Sequence, residues 1–237
     1  MTEPSHFHRA PVVEAWDETP GLRGLHLALP PNLAEQHVAP GQVVQLRPPG
    51  GEQPGWFALA SPPAAGERAE LLIKRGGRVA DAVIDAARAG AELEITEPSG
   101  RGFPVDAARG RDVLLFATGS GITPIRALVN HLLAERGAAG RVRLYYGQRD
   151  APDFAYADEW DDWRRAGLSL TLVASRAGEG WRGATGYVQD AAAASGFGGA
   201  APERSVAYLS GLPGMVEGVR AALAAFGVPA ERIFENR

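Results

Sequence analysis

The feature that most limits what this chain can fold into is a change of hydrophobic texture near residue 108. Before it, apolar residues come in short runs separated by glycine and proline. Leu25, Leu27 and Leu29 alternate with less apolar neighbours, and short runs recur at 43–46, 56–60, 71–74 and 93–96. Short strands with such turns predict a sandwich or barrel. Helix formers at 80–89 interrupt them, with Gly90 placed as a stop. After the change, 113–118 is a continuous apolar run, the pattern of a strand covered on both faces. Ile125, Leu128, Val129, Leu132 and Leu133 follow at helical spacing. Strands at 142–146, 168–174 and 206–210 then alternate with a helix at 154–166 and one bearing Val216, Val219, Leu223 and Phe226 up to Gly227. Residues 191–201 read as a helix end and loop. This alternation predicts a parallel, doubly wound sheet.

Composition narrows the chemistry. The chain has no cysteine, so disulfides, thiolate-ligated metals and cysteine nucleophiles are excluded, and redox chemistry falls to a bound organic cofactor. A net charge of −4 argues against nonspecific binding to nucleic acid or anionic membranes. No apolar stretch approaches the roughly 20 residues of a membrane span, and residues 1–20 lack the basic start and apolar run of a signal peptide. A cytoplasmic monomer is the expectation.

Two turns carry the sharpest chemical signal. Gly119-Ser120-Gly121-Ile122-Thr123-Pro124 follows the buried strand and opens an amphipathic helix. Glycine there admits a pyrophosphate to the backbone, and the helix N-terminus offers N–H groups and partial positive charge. Pro124 suits the first helical turn. Without Gly-Lys-Ser/Thr it is not a nucleoside-triphosphatase loop, and the third glycine of the usual dinucleotide fingerprint is missing. Ser210-Gly211-Leu212-Pro213-Gly214-Met215 is a second strand-to-helix turn. Turns at the carboxyl ends of parallel strands converge on one crevice, which predicts a shared ligand.

The order of barrel, first turn and second turn resembles the ferredoxin–NADP reductase superfamily over almost the whole chain. Gly41-Gln42, the segment from Glu97 to Phe103 and the segment from Leu144 to Arg149 also look like family segments. The resemblance implies a six-stranded antiparallel β-barrel over 1–108 that binds flavin, usually FAD, with FMN as the alternative. It implies a doubly wound α/β domain with a five-stranded parallel sheet over 109–237 that binds NADPH or NADH. On the flavin side the family's Arg-x-Tyr-Ser/Thr aligns with Gly55-Trp56-Phe57-Ala58, followed by Leu59, Ala60 and Ser61. Gly55 replaces the phosphate-binding arginine, Phe57 keeps an aromatic face without its hydroxyl, and Ala58 loses the hydroxyl near the flavin N5. The second flavin segment, with Ile73, Lys74, Gly76, Gly77, Arg78, Val79 and Ala80, lacks its hydroxyl at Ala80. Backbone N–H groups, Arg78 and Lys74 remain for the phosphate. Each charge-assisted hydrogen bond lost costs about 1.5–3 kcal/mol.

On the nucleotide side, Thr118, the 119–124 turn, Gly147, Arg149, Ser210, Gly211, Leu212, Pro213 and Met215 match family positions. Ser175, Arg176 and Tyr187 resemble the residues that grip a 2′-phosphate, which favours NADPH. Ser210 stands where plant-type members have a cysteine, and is expected to position the carboxamide. Glu235 maps to the acidic tail, Arg237 to the terminal aromatic position, and Phe234 is the aromatic expected to cover the flavin instead. The implied activity is hydride transfer from NAD(P)H to FAD and onward electron transfer to a separate acceptor, protein or small molecule. The lost hydroxyls and arginine leave an alternative open, a non-catalytic reductase fold that binds nucleotide as a sensor or subunit. Asp158, Glu159, Asp161 and Asp162 are expected to form a solvated helix face with Trp160 and Trp163 below. His6 and His8 are too few to make a metal site, and no Gly-x-Ser-x-Gly elbow supports a hydrolase.

Overall fold

The computed structural model describes residues 6–135, 137 and 139–236; Arg237 and residues 1–5, on which sequence expectations also fell, lie outside them. The first half contains β1 (His8–Thr19), β2 (Leu22–Ala28), α1 (Pro31–Ala34), β3 (Val43–Arg47), β4 (Gly55–Ala58), β5 (Arg68–Lys74), α2 (Arg78–Ala86) and β6 (Glu92–Ile95). Its strands form one antiparallel sheet in the order β4-β3-β6-β1-β2-β5. The sheet closes where the chain beyond β4 meets β5. Leu59 bridges Leu71, and the Ala60 N–H donates to the Glu70 carbonyl at 2.7 Å. Alternate residues, among them Leu25, Leu27, Val44, Leu46, Leu71 and Ile73, point inward and are fully buried. Helix α2 contributes Val83 and Ile84 to that core.

The second half contains β7 (Asp112–Thr118), α3 (Ile122–Ala134), β8 (Val142–Gln148), α4 (Trp160–Arg165), β9 (Leu168–Ala174), β10 (Ala184–Thr185), α5 (Val188–Ala194), α6 (Gly196–Gly199), β11 (Ser205–Ser210), α7 (Pro213–Phe226) and β12 (Ile233–Glu235). The parallel order is β10-β9-β8-β7-β11-β12. Six strands stand where five are expected, because β10 and β12 are edge pieces of two and three residues, too short to show a period. On β7, Leu115 and Ala117 face one core with Ile125, Leu128 and Trp163. Leu114 and Phe116 face the other with Val219 and Leu223. Both faces are covered, as the unbroken apolar run requires.

Other boundaries moved for local reasons. The helix expected over 154–166 is only α4, since Phe154 is extended and Tyr156, at φ +62°, is left-handed, which keeps the stretch before it non-helical. Helix α2 starts earlier than expected and ends at Ala86, Ala87 having left helical geometry. No helix among the described residues is long and apolar enough to cross a membrane.

Candidate functional site

Strand β7 has β8 on one side and β11 on the other, so the chain reverses its winding direction at its carboxyl end. Open α/β sheets bind ligands at such a switch point. Thr118 leads into a short 3-10 turn, Gly119–Gly121, that runs directly into α3. Ser210 ends β11, and Pro213 occupies the first turn of α7.

The two turns lie in contact. A Cβ on Gly121 would sit 2.3 Å from the Ser210 carbonyl oxygen, so only glycine allows this approach. Gly211, at φ +151°, passes equally close to Thr118, whose Oγ1 accepts from the Leu212 N–H at 3.1 Å. Gly119 differs: its φ is +59° and nothing lies within 4 Å of where its Cβ would be.

Beside these turns lies a cavity of about 1370 Å³. Its barrel wall is Trp56, Phe57, Ala58 and Lys74, with Thr19, Gly21, Leu22 and Leu72. Its α/β wall is Thr118, Gly119, Ser120, Gly121, Thr123, Pro124, Ser210, Gly211, Leu212 and Met215. One region is lined by Gly147, Arg149, Ser175, Arg176 and Tyr187. The Ser175 and Arg176 N–H groups donate to the Gln148 and Arg149 carbonyls at 3.0 and 2.8 Å, joining those two loops. Among the described residues neither the Arg149 nor the Arg176 guanidinium pairs with a carboxylate. Near the sheet, the buried Tyr146 hydroxyl accepts from Gln148 Nε2 at 2.7 Å and the Ala155 N–H at 3.2 Å, and burial raises its pKa.

Other sequence-selected residues do not line the cavity. Leu59, Ala60 and Ile73 are fully buried, and Ser61 nearly so, its Oγ accepting from the Glu70 N–H at 3.1 Å. Ile122 is buried in the core, and Pro213 serves its helix start. Gly76, Gly77, Arg78, Val79 and Ala80 form the approach to α2, where Gly77 is the N-cap. Two residues differ from expectation. Phe234 stacks on Tyr208 at 5.5 Å between ring centres and does not cover the cleft, because β12 pairs it in register with that tyrosine. Glu235 pairs with Arg220 at 3.3 Å. Among the described C-terminal residues, Asn236 reaches the cavity, and its Nδ2 donates to the Gly41 carbonyl at 2.7 Å. Glu159, read as part of a solvated face, turns inward to Arg126. Burial raises its pKa, an effect that Arg126 opposes.

Cavity residues that sequence reading missed include Thr19, Gly21, Leu22, Leu72, Gln148, Asp153 and Asn236. Gln148 ends the family-like segment of β8, and the others belong to a hairpin, a strand face, a 3-10 turn and a tail with no motif of their own.

The cavity tests whether a flavin and a nicotinamide fit together. Its volume exceeds the roughly 300–1,000 Å³ of a single drug-sized site, which suits two ring systems. At Gly55 the room for an arginine is taken: a Cβ would lie 2.8 Å from the Phe57 ring and 2.9 Å from Val79 Cγ1. The start of α2 is only partly open, since the Gly76 N–H donates to Asp81 Oδ1 at 3.0 Å. Gly77 carries no side-chain cap, and nothing lies within 4 Å of a Cβ on Gly76. The residues present therefore fit a phosphate held by backbone N–H groups rather than by an arginine fork.

Comparison with known proteins agrees with this geometry. Residues 115–221 match the family model described as the oxidoreductase NAD-binding domain. The fruit protein pKIWI502 of Actinidia deliciosa is 32% identical over 219 residues, covering 87% of this chain and 68% of that protein. The phenol 2-monooxygenase reductase component DmpP of Pseudomonas sp. (strain CF600) is 29% identical, covering 92% of this chain and 61% of its own length. The chain thus spans about two thirds or less of these relatives. A ferredoxin NADP+ reductase from Neisseria gonorrhoeae, solved with FAD and NADP bound, superposes with a TM-score of 0.82 at 16% identity, over 99% of this chain and all of the other, and shares the fold.

Proposed function

The chain belongs to the ferredoxin–NADP reductase superfamily, and on that premise we propose that it is an FAD-dependent NAD(P)H oxidoreductase, taking hydride from the nucleotide and passing electrons to a separate acceptor. One observation carries the reading: two glycine turns in backbone contact at a sheet switch point, facing Trp56, Phe57 and Ala58 across one cavity. When bound, flavin supplies the hydride acceptor. The protein's part is to hold, align and desolvate. Phe57 and Trp56 offer aromatic faces, and the N–H groups at the start of α2 take the flavin phosphates, with Lys74 and Arg78 adding charge. The turns at Thr118–Pro124 and Gly211–Met215 hold the dinucleotide. Ser210 orients the carboxamide and moves no proton. Unpaired Arg149 and Arg176, with Ser175 and Tyr187, favour the 2′-phosphate of NADPH. The division between the two halves falls at 108/109.

A flavin-free reductase fold is the competing reading, favoured by the filled arginine position at Gly55. Visible absorption of the purified protein separates them. The expected result is a yellow protein, or one that takes up added FAD or FMN, and that bleaches with NADPH faster than with NADH without oxygen. A colourless protein that takes up neither flavin overturns the enzyme reading.

A further inference from the structure

Arg126 lies one turn into α3, directly after the first glycine turn, with its side chain only 12% exposed. Its Nη1 donates to the Ala60 carbonyl at 3.0 Å and pairs with Glu70 Oε2 at 2.9 Å. Those two residues are the seam where the barrel closes, and Ala60 is two residues beyond Ala58 of the cavity wall. On its other side, Nε and Nη2 bind Glu159 Oε1 at 2.8 and 2.6 Å, at the N-cap of α4. Its guanidinium carbon lies 4.5 Å from the centre of the Tyr156 ring.

Tyr156 has φ +62°, and its buried hydroxyl has no hydrogen-bond partner among the described residues. A bulky residue at positive φ persists only where its surroundings over-determine it. Here its N–H is tied to the Glu18 carboxylate of β1, which also accepts from Trp16 Nε1 at 2.7 Å. A strained tyrosine tied to the barrel thus backs a guanidinium tied to the barrel seam. From Ala58 through Ala60, Arg126 and α3 to Gly121 and Ser210, one short chain of contacts links the two walls.

We propose that Arg126 is a positioning residue that sets the separation of the two cleft walls, and with it the rate of hydride transfer, a role that rests on the oxidoreductase reading. The guanidinium fork reaches Ala60, Glu70 and Glu159 together; a lysine ammonium keeps the charge without that fork.

Arg126→Lys tests this in flavin-loaded protein mixed with NADPH without oxygen. The limiting rate of flavin reduction falls at least about tenfold, a 1 Å displacement being able to cost about a hundredfold, while the half-saturating nucleotide concentration moves less than about twofold. In flavin-free protein, hydrogen exchange quickens at the Ala60 and Glu70 amides and stays slow in the middle of α3. An unchanged limiting rate, a change confined to half-saturation, or unchanged exchange at the seam overturns the proposal. Should Arg126→Lys fail to fold, Glu159→Gln keeps an acceptor but loses the charge; a lower limiting rate at the same half-saturation supports the clamp, and an unchanged rate overturns it. Wild-type protein that takes up no flavin overturns the oxidoreductase reading as well. Wild-type protein reduced normally beside an unaffected variant overturns the clamp alone.

Discussion

Gly119 and Gly121 lie two residues apart in one turn and answer to different constraints. Gly121 has ordinary helical torsions but no room for a side chain, since its Cβ would meet the Ser210 carbonyl. Gly119 has positive φ and open space beside it. Gly121→Ala must therefore push the turns apart, at about 1–3 kcal/mol of overpacking, and lower the urea midpoint. Gly119→Glu meets no protein atom near its Cβ. It costs about 1–2 kcal/mol of left-handed strain and projects where a dinucleotide would lie. The expected result is a folded protein that keeps flavin and loses its reduction by nucleotide. Unchanged reduction kinetics in Gly119→Glu would count against the assigned site. In sequence these glycines are indistinguishable; the contact with a turn some 90 residues away separates them.

Among the elements, α2 begins without a side-chain cap, as do α1, α3, α4, α5 and α7. Gly77 has extended torsions, φ −129° and ψ 133°, in which any residue fits, and a Cβ there would touch only Ala80 at 3.9 Å. Gly77→Asp supplies the missing acceptor and favours the helix dipole, worth a few tenths to about 1 kcal/mol. The flavin-free protein gains roughly 1–3 °C in Tm. The same carboxylate repels a phosphate, so flavin affinity falls at least about tenfold, or ~1.4 kcal/mol. Gly77→Asn caps without the charge and separates the effects: flavin affinity equal in both variants would remove the phosphate from this helix start. Legibility varies by element for related reasons. Strands β7, β8 and β11 are readable because both faces are buried, and β9, half-buried at its middle, because Leu168, Leu170 and Leu172 alternate with polar residues. Strand β1 is not: its twelve residues include Pro11, its burial alternates irregularly, and its pairing with β2 has bulges. At the site, glycine turns are legible because backbone approach restricts residue type. Thr19, Leu72 and Asn236 reach the cavity through tertiary placement, which no local pattern records.

At the scale of the whole molecule, the two halves share a core rather than a hinge. Leu22, Ala60, Leu72 and Phe103 from the barrel side are buried in one cluster with Ile122, Ile125 and Leu128 of α3. Interfaces between domains move by default unless they are large and apolar, and this one is sealed by fully buried aliphatic and aromatic groups. Phe103 packs edge-on against Tyr208 at 5.4 Å, and the Tyr208 hydroxyl donates to the Pro104 carbonyl at 2.9 Å. Asn236 adds its bond to Gly41. Barrel and α/β half are therefore expected to unfold together. Hydrogen exchange read separately over β3 and β8 across a urea series should lose protection at one midpoint. Phe103→Ala removes a buried ring at about 3–5 kcal/mol, a large share of the roughly 5–15 kcal/mol that holds a typical domain together. It acts on the shared core, so it should lower both midpoints and draw them apart, the half with the weaker private core opening first. Two midpoints in the wild-type protein would refute the shared core, and a cleft held at fixed width would lose its mechanical basis.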